Sequence, residues 1–322
     1  MKRLWIKTAL ALAFSWASGA AMAQDFPSRS LRIIVPTSPG SGSDIVGRFM
    51  AEQLAGVLGQ PVVVENRAGG NGVIAAMAVK QAPADGYTLF LGTNTHLAVN
   101  PVVVKDIPYD AAKDFKPISG LTRGMMVVIS SASNNRYQTL GDLVQAGRNS
   151  STQLNVGTYT AGFHLSAQWF ASVSKTRHVN VPYRGAPEVF LALMGNQIDW
   201  SLSDLIAAMP QVKAGKLRAL AVSGESRHPD YPEIPTAREL GYPDYVNYTW
   251  TTLVVRSETP EAVTQRLVEA VQKIMAQQVF KDFARKIGTD PLNLVMQDMR
   301  RFQTSELERF RAVAQSAGIK PE

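Results

Sequence analysis

The sequence predicts an α/β protein built from two doubly wound domains around an interdomain cleft. Short apolar strands alternate with helical patterns from Leu31 onward, an order typical of parallel sheets with right-handed crossovers. The alternation restarts near residue 126 without an obvious sequence repeat. With 322 residues, the chain is long enough for two modest domains, each with its own core.

The first predicted unit follows the order β-α-β-α-β. Its strands are expected at 31–36, 62–65 and 87–91, and its helices at 43–58 and 72–81. In the first helix the apolar residues recur on one face, which is the pattern of an amphipathic helix. Gly59 and Pro61 then provide a stop signal.

The second predicted unit is similar in size. Its strands are expected at 126–129, 154–157, 178–182, 198–202 and 217–222, and its helices at 140–147, 162–173, 186–194 and 205–213. The stretch 225–248 is rich in proline and tyrosine, and it predicts irregular chain between the units.

The C-terminal part begins with a strand predicted at 250–255. Thr259, Pro260 and Glu261 then form a helix start, with a capping residue, a proline at the first position and an acid in the first turn. The helices that follow toward Gly318 have no strands of their own in this prediction. They are therefore expected to return and pack on the first domain.

Residues 1–23 are predicted to be a secretory signal peptide. Lys2, Arg3 and Lys7 make a basic start, an apolar stretch follows, and Ala21-Met22-Ala23 fits cleavage after Ala23. The apolar stretch is too short for a stable membrane anchor. The exported chain is predicted to form two domains. Domain 1 comprises residues 24–124 and 251–322, and domain 2 comprises residues 125–250. The chain crosses twice between the domains, and these two crossings are expected to form a hinge.

Composition narrows the classes of function. The 33 Lys and Arg residues outnumber the 26 Asp and Glu residues, and three of the basic residues lie in the predicted signal, which leaves 30 − 26 = +4. These charges are scattered, without a basic run, so no nucleic-acid partner is expected. The chain has no cysteine, which excludes disulfides, thiol catalysis and thiolate metal sites.

The loop from Thr37 to Asp44 is the first candidate site. It follows a predicted strand and opens a helix, where unpaired backbone N–H groups and the positive end of the helix dipole favour anions. Ser43 is expected to cap this helix, and the alternative is an ordinary strand-to-helix turn. The candidate residues are Thr37, Ser38, Pro39, Gly40, Ser41, Gly42, Ser43 and Asp44.

A second loop of the same kind occurs in the second unit, and the two are expected to face each other across the cleft. Polar residues at two strand ends add further candidates, and Asp204 among them either orients an amine or hydroxyl of a ligand or caps the next helix. The second loop comprises Thr158, Tyr159, Thr160, Ala161 and Gly162, and the strand-end residues are Thr93, Asn94, Thr95, Ser203 and Asp204.

Signals for cofactors and catalysis are weak. Gly70 to Ala75 fits a dinucleotide fingerprint, but Asp85 comes too early for the ribose-binding acid, so a tight turn into a helix is expected. The four histidines lack metal-ligand spacing, and no nucleophile-elbow motif occurs. We therefore expect no cofactor, no metal and no catalytic residue, although a triad dispersed along the sequence would leave a secreted hydrolase as an alternative.

Five stretches occur in order along the chain: IIVPTSPGSGSDIVGR, LGQPVVVENRAGGNG, PADGYTL, NVPYRGAPEV and KAGKLRALAVSGESRHPDYPEIPTARELGYP. Together with the closing Thr-Pro helix start, they resemble the exported solute-binding proteins of tripartite tricarboxylate transporters, the Bug family. The resemblance covers essentially the whole predicted exported chain. It implies a periplasmic binding protein fold of type II that closes on a small carboxylate.

The resemblance also implies roles for the candidate loops. The loop matching 38–44 would hold a ligand carboxylate through backbone N–H groups and ordered waters, and the loop matching 158–162 would close from the other side. Residues matching Thr93 to Thr95 and the Ser203-Asp204 strand end would help select the ligand. Thr37, Ser41 and the Thr158-Tyr159-Thr160 run depart from the usual family pattern, which leaves the ligand open between di- or tricarboxylates, amino acids and aromatic acids.

These observations predict a periplasmic carrier that is not an enzyme and acts as a monomer. Its expected partners are a small carboxylate and the subunits of a membrane transporter. A sensor partner that presents the same ligand to a membrane receptor is the first alternative, and the secreted hydrolase is the second.

Overall fold

The structure is a computed structural model that describes residues 26–149 and 153–321. The predicted signal peptide lies outside these residues. Within the described ranges, none of the helices combines the length and the apolar character needed to cross a membrane.

The bounds of the elements agree closely with most of the predicted ones. The strands are β1 (Leu31–Val35), β2 (Val62–Asn66), β3 (Thr88–Thr93), β4 (Phe115–Ser131), β5 (Leu154–Thr158), β6 (His178–Pro182), β7 (Trp200–Asp204), β8 (Leu217–Val222), β9 (Tyr248–Arg256) and β10 (Thr289–Pro291). The helices are α1 (Gly42–Leu58), α2 (Val73–Lys80), α3 (Asn100–Val103), α4 (Leu140–Arg148), α5 (Ala161–Ser174), α6 (Ala186–Met194), α7 (Leu205–Lys213), α8 (Glu261–Ala276), α9 (Gln278–Lys286) and α10 (Met296–Ser316).

The first half of the sheet confirms the predicted β-α-β-α-β order. β2, β1 and β3 lie side by side and parallel, with α1 and α2 as the crossovers. The antiparallel strand β9 then pairs with β3. The turn at Gly70–Gly72 leads directly into α2, which is the tight turn into a helix that the sequence predicts.

The second half repeats this arrangement. β6, β5 and β7 are parallel neighbours, and β7 and β8 pair with β4 in the antiparallel direction. Both halves are therefore parallel α/β sheets with antiparallel strands between them. This is the two-domain periplasmic binding protein fold that the sequence predicts.

Strand β4 runs through both halves, which the sequence did not predict beyond residues 126–129. Its first part pairs with β9, and its second part with β7 and β8. Pro117, Gly120 and Gly124 interrupt the apolar pattern of the first part, and the register with β9 shifts at two irregularities. These residues are depleted in strands, so pattern alone missed this segment.

The predicted crossovers at 124/125 and 250/251 fall inside β4 and β9, which are antiparallel neighbours. A hinge at this point would bend two adjacent strands. One buried core cluster consists only of residues between Met126 and Tyr245, in keeping with domain 2. The domain limits themselves stay a proposal.

Two expectations about the C-terminal half need correction. β10 is a strand within the helical C-terminal part and pairs with β4; it has three residues and ends in a proline, too little for a strand pattern. The irregular stretch before β9 is also not a spacer between units. Its apolar side chains, such as Tyr231 and Tyr245, are buried in the core of the second half. Helix α10 packs against the first half through Phe310, which is buried in a cluster with Phe90 and Phe115.

Candidate ligand-binding site

A cavity of about 40 Å³ lies between the two halves, at the ends of β1, β3 and β7. The cavity wall is rich in hydroxyl groups. They belong to Thr37, Ser43, Thr93, Thr95, Thr122, Tyr159, Thr160, Thr249, Thr251 and Thr289.

The first candidate loop presents the start of α1 to this cavity. The helix begins at Gly42, with Ser41 at the capping position, and the predicted cap Ser43 is wrong. Ser43 lies inside the first turn, where its hydroxyl bonds to that of Thr37 at 2.7 Å. The side chain of Ser41 makes no capping bond either. The N–H groups of the first turn have no partners within a helix, so this turn offers donors to an anion.

Asp44 holds the loop in place and does not line the cavity. Its carboxylate accepts bonds from the Gly40 N–H at 2.9 Å, from Arg48 Nε at 3.0 Å and from Asn66 Nδ2 at 2.8 Å. Asn66 also donates to the carbonyl of Thr37 at 3.0 Å. The loop is thereby tied to its own helix and to β2, so its shape is fixed before a ligand arrives.

Across the cleft, this loop meets a turn of the second half that sequence reasoning missed. The Ser38 N–H donates to the Arg184 carbonyl at 3.3 Å, and the Ala186 N–H donates to Ser41 Oγ at 3.1 Å. A Cβ on Gly185 would lie 2.6 Å from Ser38 Cβ. Gly185 directly before α6 and Pro187 in its first turn are a further strand-loop-helix signal that could have identified this turn.

The second candidate loop packs against the end of β3 in the other half. Thr160 lies at the capping position of α5, and its hydroxyl bonds to that of Thr95 at 3.0 Å. A Cβ on Gly162 would lie 2.3 Å from Thr95 Oγ1. The first turn of α5 therefore reaches the cavity from the second half, opposite the start of α1 in the first half.

His96 lines the cavity but is fully buried. Its Nδ1 accepts the Thr93 N–H at 3.3 Å and lies 3.0 Å from Thr93 Oγ1, so the ring proton is assigned to Nε2. Nε2 has no hydrogen-bond partner among the described residues.

Burial of the His96 ring predicts a pH-dependent loss of stability. Burial lowers the pKa of His96 from 6.5 to about 3, so between these values the unfolded chain binds a proton that the folded chain does not. The free energy of unfolding should therefore fall as the pH drops below 6.5, by about 2 kcal/mol at about pH 5 from this group alone.

Urea unfolding at pH 7 and pH 5 measures this effect in the wild type and in His96→Asn. The asparagine keeps an acceptor near the position of Nδ1 but does not titrate. The free energy of unfolding of His96→Asn should therefore fall by about 2 kcal/mol less than that of the wild type between pH 7 and pH 5. The buried His178, whose pKa burial lowers to about 4, contributes equally in both proteins. Identical losses in the two proteins would contradict the prediction.

Asp204 and Tyr159 form the polar end of the cavity in the second half. Asp204 caps α7 by position, but its side chain makes no capping bond. Its Oδ2 instead accepts the Tyr159 hydroxyl at 3.1 Å. Burial raises the pKa of the Asp204 carboxyl, against the lowering effect of bonds from Thr249 and Tyr159. Burial also raises the pKa of Tyr159 well above its ordinary range, which keeps its hydroxyl a donor.

The cavity brings together ten of the eighteen candidate residues. These are Thr37, Gly42, Ser43, Thr93, Asn94, Thr95, Tyr159, Thr160, Gly162 and Asp204. The others lie behind the wall or at the cleft edge: Ser38, Pro39, Gly40, Ser41, Asp44, Thr158, Ala161 and Ser203. The threonines of β4, β9 and β10 were missed, although the alternation of Thr249 and Thr251 along β9 places both on one face of that strand.

A sequence comparison identifies one family. Residues 46–319 match the family described as the tripartite tricarboxylate transporter family receptor. A UPF0065 protein of Bordetella pertussis is 31% identical over 97% of this chain and 96% of its own length. The protein BugT of the same organism is 28% identical over 99% of both chains.

Solved structures with a similar fold include two that hold organic acids. A Rhodopseudomonas palustris protein solved with adipate is 31% identical and has a TM-score of 0.89, over 92% of this chain and all of that one. MatC from the same organism, solved with bound malate, is 26% identical and has a TM-score of 0.84, over 89% of this chain and 99% of that one.

Proposed function

The chain belongs to the tripartite tricarboxylate transporter receptor family, and from that premise we propose that it is a periplasmic solute-binding protein. It captures a small carboxylate in the cleft and delivers it to a membrane transporter of the tripartite tricarboxylate type. It does so as a monomer and without chemical turnover. The predicted signal peptide, cleaved after Ala23, would bring it to the periplasm.

One observation carries the proposal: the first turns of α1 and α5, one from each half, reach the same cavity. Backbone N–H groups at helix starts bind anions because they lack partners and carry the positive end of the dipole. None of the described residues that line the cavity is a lysine or arginine. A ligand carboxylate would therefore be held by neutral N–H and hydroxyl donors.

The same arrangement gives a reason for cleft closure. A carboxylate between the two helix starts would bond to both halves at once, so it would stabilise the closed form over the open one. The adipate and malate of the two related structures support a small organic acid as the class of ligand. The loops at 37–44 and 158–162 are the proposed contacts on either side.

Replacing Ser43 with phenylalanine is expected to remove binding. Ser43 is buried in the first turn of α1 and faces the cavity, so a phenyl ring would occupy the space of the ligand carboxylate. We expect a loss of affinity of about a hundredfold or more, which corresponds to about 2.7 kcal/mol.

Isothermal titration calorimetry with the tightest-binding carboxylate measures this loss. The control is Ser305→Phe, the same change at an exposed position on α10, which should leave the affinity within about twofold of the wild type. Unchanged affinity in Ser43→Phe would show that the start of α1 is not the binding site.

A further inference from the structure

The described residues that line the cavity include one carboxylate side chain and no lysine or arginine. Among the described lining residues, the ionisable side chains are Asp204, Tyr159 and His96. His96 is neutral at ordinary pH because burial lowers its pKa to about 3, and Tyr159 keeps its proton. Asp204 is therefore the side chain that decides which charge the cavity accepts beside the start of α1.

Asp204 is placed to contact a ligand. The residue keeps some exposure on the cavity wall, although its carboxyl group is desolvated enough to raise its pKa. A Cβ on Gly42 would lie 2.5 Å from Asp204 Oδ2, so the carboxylate directly faces the first turn of α1 across the cleft. A ligand bound at that turn cannot avoid this carboxylate.

The carboxylate has acceptor capacity that the protein leaves unused. It accepts hydroxyl bonds from Tyr159 and Thr249, whereas a carboxylate has about four lone-pair sites. In the described part of the chain, Asp204 forms no ion pair. Both partners are neutral donors, so no cationic side chain of the described residues pairs with the Asp204 carboxylate.

An acidic group in this position acts against a second ligand carboxylate. Two like charges a few ångströms apart in a partly desolvated site repel strongly. A ligand ammonium would instead form a charge-assisted hydrogen bond with Asp204, which is worth about 10- to 100-fold in affinity. A ligand hydroxyl would form the weaker, neutral bond.

We propose that Asp204 makes this protein selective for carboxylates that also carry an ammonium group, with the carboxylate at the helix starts and the ammonium on Asp204. This inference rests on the proposed function, because it requires a carboxylate in the same cavity. A protein with this selectivity differs in ligand preference from a receptor for simple dicarboxylates.

Pairs of acids of equal chain length provide the test. The probes are 3-aminopropanoate with malonate, 4-aminobutanoate with succinate, 5-aminopentanoate with glutarate and 6-aminohexanoate with adipate. Isothermal titration calorimetry on the exported chain gives the affinity ratio within each pair. The wild type is expected to prefer the amino acid by about tenfold or more in the pair whose length fits the cavity.

Two variants and a control isolate the carboxylate. Asp204→Asn should reduce the preference by about tenfold or more, and Asp204→Ser should do the same with a smaller side chain. Asp244→Asn makes the same chemical change at an exposed position of the same half that does not line the cavity, and it should keep the wild-type preference.

Each outcome decides between the alternatives. Preference of the wild type for the dicarboxylates, or an unchanged ratio in both Asp204 variants, would overturn this inference and leave the proposed function standing. Failure of every probe and every other carboxylate to bind would overturn both. A preference that disappears only in the Asp204 variants supports the assignment.

Discussion

Replacing Gly162 with valine is expected to lower carboxylate affinity by about a hundredfold while the protein stays folded. A Cβ at this position would lie 2.3 Å from Thr95 Oγ1, and the two residues belong to opposite halves of the molecule. Overpacking of this kind costs about 1–3 kcal/mol. Because opening the cleft relieves the clash, the cost falls on the closed form alone, and the closed form is the one that binds.

Calorimetric titration and thermal unfolding together check this result. The control is Gly56→Val, where an added Cβ meets no atom within 4 Å, on the same kind of backbone in α1. The control should bind as the wild type does. If Gly162→Val bound as tightly as the wild type, closure across the Thr95 contact would not be part of ligand capture.

Replacing Asp44 with alanine is expected to have the largest effect on stability, about 3 kcal/mol, and to weaken binding as well. The change removes the acceptor of three bonds, and it leaves the Gly40 N–H and the buried part of Asn66 without that partner. Breaking a buried, charge-assisted network costs about 3–5 kcal/mol, and the exposure of Arg48 reduces this figure. The loop would also lose its fixed shape, so the donors at the start of α1 would no longer be preorganised.

Urea unfolding and ligand titration measure the two effects. Asp44→Asn keeps an acceptor oxygen and should lose less stability than the alanine variant. Asp230→Ala, at an exposed position, should change stability by about 0.5 kcal/mol or less. Equal stability of Asp44→Ala and the wild type would mean that the loop does not depend on this carboxylate.

Local sequence patterns predicted most of the fold because each parallel strand, its turn and its helix are contiguous in the sequence. Each is a short apolar run followed by a glycine- or serine-rich turn and an amphipathic helix, as in β1 and α1. The first part of strand β4 was not predicted because proline and glycine, which occur in it, have a low propensity for strands. Its pairing with β9 is a tertiary contact that overrides that preference.

For the candidate site, the sequence predicted the local features but not the contacts between the two halves. The strand-loop-helix pattern located the starts of α1 and α5, since the unpaired N–H groups of a helix start follow from backbone geometry. Which side chains meet across the cleft is not local information. The contact of Ser41 with Ala186 and the approach of Asp204 to Gly42 depend on how the two halves pack. The cap expected at Ser43 was wrong because the helix begins at Gly42, which places Ser43 inside the first turn, where its hydroxyl bonds to that of Thr37.

A thermal-shift panel on residues 24–322 tests the central claim most directly. The panel contains mono-, di- and tricarboxylates, amino acids and aromatic acids, each beside the amide that lacks its carboxylate charge. A ligand that binds only the folded chain raises the melting temperature, and the rise grows with ligand concentration. At a hundred times the dissociation constant, such a ligand adds about 2.7 kcal/mol to the free energy of unfolding. We expect at least one acid to do so and its amide to fail. A flat response to every acid, or an equal response to acid and amide, would contradict a carboxylate site at the two helix starts.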